Sequence, residues 1–581
     1  MCISSARIHP TTPIGRSFTQ LYTSLTSLNI TVAIRGPSAI CPWSLVLTET
    51  TESHSQSYPV PLEGAGLDTD SGARRSKLAP TTQGWCRSSA RWLNMHQFST
   101  LLLLAGALSG CVVGPDYQKP GLSMPKSWNT RAHDNPDKPP ALAEWWKQMK
   151  DPILDDLIAQ AVAANLDVAT AKAKIREARA TYREQVGALL PTIEGTASAT
   201  RNRTAASGGT PATAYNDYQP GFDASWELDL FGGNKRTAEA AKYGVDAAEE
   251  DLRDTLVTLI GDVATYYLQA REYQQLAELA QDSSKSQAQT AALTRTQYSA
   301  GGTSLVDVTK AEAQAASTHA DVPSYEISYA KSVNRLGVLL GKSPLLLESL
   351  LGKRSRLPVP PAKISVGIPA DILNTRPDVR KAERELAQAT AKIGEAEANR
   401  YPSLSLTGSI DSSATSISDL GKKSTIGLSF GPSLTIPIFK GGQLRAAVDV
   451  AKAQRDQYLF SYQSAVLTAL EDVQNAIISL NRSRARSVDL AKSVEGYRAA
   501  AKLSKQLQIA GEGDLFDVLD ADRSLYSAQK SLIETKADIA TYYISLNKAL
   551  GGGWTGPIDI SQPAVRDVNE APHLQAKQSA Q

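Results

Sequence analysis

The chain repeats itself at a spacing of about 210 residues, and this repeat constrains the fold more than any other feature of the sequence. Tyr298-Ser-Ala-Gly301-Gly-Thr-Ser-Leu-Val-Asp307 aligns with Gln508-Ile-Ala-Gly511-Glu-Gly513-Asp-Leu-Phe-Asp517, the glycines and aspartates each offset by 210. Asp167-Val168 pairs with Asp378-Val379, and Pro191 with Pro402, at an offset of 211. Phe231-Gly-Gly233 recurs as Phe439-Lys-Gly-Gly442, and Leu340-Gly341 as Leu550-Gly551. Residues 151–351 and 352–556 are therefore read as two copies of one unit.

Each unit reads as helix, strand, strand, helix, helix. Residues 153–188 carry helical spacing, with Leu154, Leu157, Ile158, Ala161 and Val162 on one face, and Pro191 closes the segment. The period then switches to two. Phe222, Ala224, Trp226, Leu228 and Leu230 alternate with polar residues, as do Leu404 and Leu406, and Ile426, Leu428, Phe430, Leu434, Ile436 and Ile438. Such two-faced strands suit the wall of a membrane barrel, lipid on one side and water on the other. From Asn234 to about Ser299 only Gly244 and Gly261 weaken the helix. A seven-residue seam runs through Leu252, Leu256, Leu259, Val263, Tyr266, Ala270, Tyr273, Ala277 and Ala280, and again through Tyr462, Val466, Ala469, Val473, Ala476 and Leu480. A helix of that length spans on the order of 100 Å and implies coiled-coil packing. Turns at Gly301 and at Gly511/Gly513 reverse the chain, and return helices run to Gly341 and Gly551.

The charge is nearly balanced, 61 basic against 59 acidic residues, which gives no reason to expect a nucleic-acid partner. No run of about 18 apolar residues is present, so a transmembrane helix is not expected. Cys2, Cys41, Cys86 and Cys111 all lie in the first fifth of the chain, so no disulfide or cysteine metal site is expected beyond them. Residues 1–94 lack periodicity and are read as an over-extended, disordered N-terminal segment, with Met95 as the alternative start. Residues 95–110 have the short apolar core of a signal peptide, although the stretch from Met95 to Thr100 carries no Lys or Arg. It ends in Leu108-Ser-Gly-Cys111, a lipobox, which would leave Cys111 acylated at the start of an extended segment, residues 111–150. Residues 557–581 read as a disordered tail.

Trp145-Trp146, Asp151-Pro152-Ile-Leu-Asp-Asp-Leu-Ile and Asn165-Leu-Asp167 resemble the opening motifs of outer-membrane efflux lipoproteins. Ile368-Pro-Ala-Asp-Ile-Leu-Asn-Thr-Arg376-Pro-Asp378-Val-Arg380-Lys-Ala-Glu383 resembles their mid-chain signature, and Leu550-Gly-Gly-Gly-Trp554 their close. Over residues 111–556 the chain thus resembles the TolC-type family of outer-membrane factors, including the nodulation-protein-T-type lipoproteins. The resemblance implies a mainly α fold with a membrane β-barrel. Each chain would supply four strands, and a homotrimer would close a twelve-stranded barrel above a periplasmic α-helical tunnel. Independently, four strands cannot close, and open edges facing lipid leave backbone groups unpaired. Threefold symmetry is a simple closure. Trp145 and Trp146 are expected to anchor the N-terminal segment against the helices.

The resemblance also implies function and site. The expected role is passive export of small molecules through the outer membrane, with a periplasmic membrane-fusion adaptor and an inner-membrane pump of the resistance–nodulation–division class as partners. A type I secretion duct and a non-conducting coiled-coil lipoprotein are the alternatives. No catalytic, metal or cofactor constellation is apparent. Asp517 and Asp520 match the aspartates that ring the family's tunnel entrance, and Asp307 is the first-unit counterpart of Asp517. Their bland reading is as first-turn helix aspartates favoured by the helix dipole. The chain departs from some members in having Gly513 and Gln508 where an arginine and a tyrosine stand.

Overall fold

The computed structural model describes residues 112–125, 127–128, 142–206, 209, 211–347, 351–353, 355–362, 364, 366–367 and 369–553. The N-terminal segment 1–94, the signal peptide 95–110, the acylation candidate Cys111, Trp554 and the tail 557–581 lie outside the described residues.

The first half opens with α1 (Pro152–Ala164) and α2 (Leu166–Gly187), where the spacing predicts a single helix over 153–188. The break is made by Asn165, whose backbone is extended (φ −67°, ψ 137°). Its carboxamide oxygen accepts from Asp167 N (2.8 Å) and Val168 N (3.1 Å), satisfying two first-turn donors of α2. The apolar stripe survives the break, so periodicity alone does not reveal it. β1 (Thr192–Thr204), β2 (Thr213–Leu228), α3 (Gly233–Ser299) and α4 (Leu305–Leu339) follow. The second half repeats the order. A single turn, Ile372–Thr375, precedes α5 (Pro377–Ala398), β3 (Ser403–Ser412), β4 (Ile426–Thr435), α6 (Gln443–Ala510) and α7 (Leu515–Ala549).

The strands form one antiparallel sheet in the order β1-β2-β3-β4. Its register sends successive rows of side chains to opposite faces. Ile193, Ala224, Gly408 and Phe430 lie in one cross-strand row, and Gly195, Phe222, Ile410 and Leu428 in the next on the same face. Glu194, Asp223, Ser409 and Ser429 form a row on the opposite face. The apolar face is uncovered: Phe222 is 63% exposed, Leu428 79% and Phe430 74%. β1 was not singled out by alternation, because its apolar face is mostly Gly195, Ala197 and Ala199, too small to stand out. Leu230, Ile436 and Ile438 fall beyond the strand ends.

The helical part is built on α3 and α6, of 67 and 68 residues, roughly 100 Å each. α4 and α7 have 35 residues and cover only the far halves. Nearer the sheet, α2 and α5 flank α3, and α5 packs on α6. The main core sits where all these elements converge, around Leu154, Leu157, Val263, Leu268, Leu336, Val473 and Tyr543. The α6 seam is buried as the spacing predicts. On α3 it drifts, so that Tyr267 and Leu276 are buried while Tyr266 and Ala277 are only partly so. That is the slippage expected of a 3.6-residue helix under a seven-residue pattern. Among the described residues no helix is long and apolar enough to cross a membrane.

Candidate functional site

The far ends of the two long hairpins carry the predicted site residues. At the first tip Gly302 N donates to Gln297 O (2.8 Å) and Gly301 N to Tyr298 O (2.9 Å). At the second, Glu512 N donates to Leu507 O (3.0 Å) and Gly511 N to Gln508 O (3.1 Å). These are paired C-terminal caps, and Gly301 and Gly511, both at φ +78°, supply the left-handed residue each needs. Leu515 at the start of α7 is buried with Ala291 of α3 and Ala311 of α4, which brings the two tips together.

The three aspartates differ in their engagements. Asp307 closes a capping box: its Oδ2 accepts from Ser304 Oγ (2.7 Å) and Thr303 Oγ1 (3.0 Å), and Ser304 Oγ accepts from Asp307 N. The Ser304 and Thr303 hydroxyls hold its carboxyl below the usual carboxylate range. In the second tip Asp514 takes the capping position, accepting from Phe516 N (3.2 Å). Asp517 is exposed and makes no hydrogen bond or ion pair among the described residues. Asp520 pairs with Arg523 at 2.6 Å. Gln508 is buried with its Oε1 unpartnered, and a Cβ on Gly513 would stand 2.9 Å from Gln508 N. Leu507 and the Gln508 backbone therefore occupy the space a side chain at position 513 would need.

Sequence reasoning missed several groups. Tyr526 of α7 donates to Asp321 of α4 at 2.7 Å, tying the two hairpins, while Lys530 lies over the Tyr325 ring. Burial, followed by the bond to Asp321, raises the Tyr526 hydroxyl above its usual range. Asp522, two residues after Asp520, is raised by burial. Farther up, Glu272 of α3 is pushed up to about 7 by burial and by Asp538 and Glu534 of α7. None of these has a local signature, since each is made by packing of distant helices.

Near the sheet, the described chain begins at Val112 and lies across the helices as a strap. Val113 N donates to Phe231 O (3.1 Å). Arg236, almost fully buried, donates to Val113 O, Gly114 O and Asp116, and also to Glu239. Tyr117 donates to Glu383 (2.9 Å), and Lys119 pairs with the same carboxylate. Glu383 belongs to the mid-chain signature. Arg376, from the same motif, binds Asp378 (2.6 Å), Asp472 (3.0 Å) and the Ala549 carbonyl (3.1 Å). Trp145 is buried against Tyr543, whose hydroxyl donates to the Trp145 carbonyl, so the tryptophan pair anchors the N-terminal segment on α7. Among the described residues no group of three or more His, Cys, Asp or Glu is placed to hold a metal ion.

A family profile described as outer membrane efflux protein matches residues 157–342 and 368–552, one match per repeat. Nodulation protein T of Rhizobium leguminosarum bv. trifolii is 36% identical over 456 residues, covering 77% of this chain and 95% of that protein. The solvent efflux pump outer membrane protein SrpC of Pseudomonas putida is 34% identical, covering 77% and 96%. The solved structure of the outer-membrane channel OprN superposes with a TM-score of 0.72 at 33% identity, covering 76% of this chain and all of that one.

Proposed function

Because this chain belongs to the outer membrane efflux protein family, we propose that it is the passive exit duct of a tripartite efflux system. Small molecules enter from an inner-membrane pump of the resistance–nodulation–division class through a periplasmic adaptor, and leave through this protein. The observation that carries the reading is the sheet. One face is apolar and uncovered, the other is polar, and β1 and β4 leave both edges unpaired. In lipid, unpaired edges are excluded and the polar face requires water, so the sheet must close with copies of itself. Three copies give twelve strands, within the known range of such barrels. The helices then line a tunnel in the periplasm, with Asp517, Asp520 and Asp307 at its far entrance. Acylation of Cys111 is supported by the position of Val113, two residues on, which is bonded to Phe231 O at the foot of the sheet. The two repeats, 151–351 and 352–556, act as one structural unit each, and no catalytic role is assigned.

The test is reconstitution of the purified protein in planar bilayers, with chemical cross-linking in detergent. Cross-linked trimers and discrete ion-conducting steps are expected. A detergent-free soluble monomer, or trimers that never conduct, would overturn the duct.

A further inference from the structure

A basic groove lies between α2 and α3, and its position says what fills it. Arg176, Arg179, Tyr182 and Arg183 from α2 and Lys242 from α3 line a space of ≈ 640 Å³ that also meets Asp246 and Glu249. Arg179 is paired with Glu249 at 2.8 Å, and Lys242 lies near Asp246. Arg183 is exposed and has no hydrogen-bond or ion-pair partner among the described residues. The groove therefore keeps an excess of positive charge.

Two relationships place it. At about 100° per residue, Lys242, Asp246 and Glu249 fall within about 80° of Glu239 on α3, whereas Asp251 lies about 180° from Lys242. The groove and the Lys174–Asp251–Lys381 cluster therefore lie on opposite sides of α3. The groove is also close to the sheet. Arg183 stands four residues before the end of α2 and Lys242 nine after the start of α3, roughly 6 Å and 14 Å of helix. Trp226, on the apolar face, donates its indole N–H to Leu189 O (3.0 Å), an interfacial tryptophan at the foot of the wall. The polar layer of a bilayer extends about 5–8 Å beyond the hydrocarbon on each side. Long Arg and Lys side chains reach into that layer while their stems stay on the protein.

The geometry points to this groove as a binding site for the phosphate head group of an anionic phospholipid in the periplasm-facing leaflet. Arg183 and Lys242 contact the phosphate, Arg179 and Arg176 extend the positive wall, and Tyr182 packs beside the glycerol. The inference rests on the reading of the sheet as a membrane wall.

The full channel in nanodiscs of phosphatidylcholine doped with phosphatidylglycerol, released for native mass spectrometry, tests it. The protein is expected to retain phosphatidylglycerol in preference to phosphatidylcholine. R183Q with K242Q should reduce that retention at least about tenfold, and K174Q, on the other side of α3, should leave it unchanged. Equal retention by the double variant overturns the proposal. So does displacement by millimolar inorganic phosphate, which makes the groove a free-phosphate site, or dissociation of the oligomer with lipid retention per chain unchanged, which makes it a contact between copies. Bilayer conductance of the same preparations separates the two readings. A conducting channel without lipid preference sinks the groove alone, and a soluble, non-conducting protein sinks the wall.

Discussion

Asn165 and Arg376 hold equivalent places in the two halves of the chain, and each donates to the end of the helix that returns to it. Asn165 Nδ2 reaches the Leu339 carbonyl at 2.9 Å, and Arg376 Nη1 the Ala549 carbonyl at 3.1 Å. The glycines that follow those helices complete the joint. A Cβ on Gly341 would stand 2.4 Å from Ala164 O, and one on Gly551 2.4 Å from Thr375 O, both at positive φ. Different side chains thus perform one task at the two ends of the pseudo-symmetry. Asn165→Ala is expected to destabilise the protein by about 2 kcal/mol, from a lost cap and an orphaned carbonyl. Arg376→Ala is expected to cost about 3 kcal/mol, because Asp378 and Asp472 lose their shared cation as well. Thermal melting in detergent measures both, and wild-type melting of either variant would deny the joint its role.

The register of the sheet makes a sharp contrast between neighbours. Leu428 lies on the apolar face and Ser429 on the polar one, bonded to Ser409 at 2.8 Å. Leu428→Arg is expected to cost about 2–4 kcal/mol in folding into lipid vesicles if the site lies near the midplane. Ser429→Arg, facing water, is expected to be tolerated. Equal penalties for the two would contradict the assignment of the faces.

At the tips, Asp517→Ala combined with Asp520→Ala is expected to raise single-channel conductance and weaken cation preference. Unchanged conductance and selectivity would remove these aspartates from the tunnel entrance. Asp307→Ala is expected to behave differently. Its carboxylate is committed to the Ser304 capping box, so its loss frays the first turn of α4 more than it alters selectivity.

Glu272 yields a pH signature. Its folded-state carboxyl is raised to about 7, by burial and then by Asp538 and Glu534. A raised carboxyl contributes stability while protonated, present in full below its unfolded value of about 4.3 and lost as pH rises through about 7. Glu272→Gln is expected to flatten the melting temperature between those limits. At pH 8 it should stabilise the protein by about 1–2 kcal/mol, after discounting for the group's partial exposure. Parallel pH profiles for variant and parent would exclude Glu272 as the titrating group.

Much of the architecture was legible because it is local. The α6 seam from Tyr462 to Leu480 buries side chains at a fixed period, and the alternation from Phe222 to Leu228 sends apolar and polar side chains to opposite faces of the sheet. The tip turns announced themselves because only glycine enters φ +78° without strain. The spacing places Asn165 in a helix interior for the complementary reason. Its capping bonds interrupt the backbone without interrupting the apolar stripe. The expected first strand of the unit is not located by alternation, because the small residues on the Gly195–Ala199 face of β1 carry little hydropathy.

By itself the sequence determined a duplicated chain, the two very long helices and the periods of helix and strand, and the glycine-led reversals, all of which depend on neighbours within a few turns. Only the tertiary structure decided which residues serve distant ones: Arg236 on the strap, Tyr526 on Asp321, and the sorting of four strands into one apolar and one polar face. A hydrogen bond between positions 205 apart leaves no periodic trace, because its energy depends on where two helices meet and not on the order of residues along either.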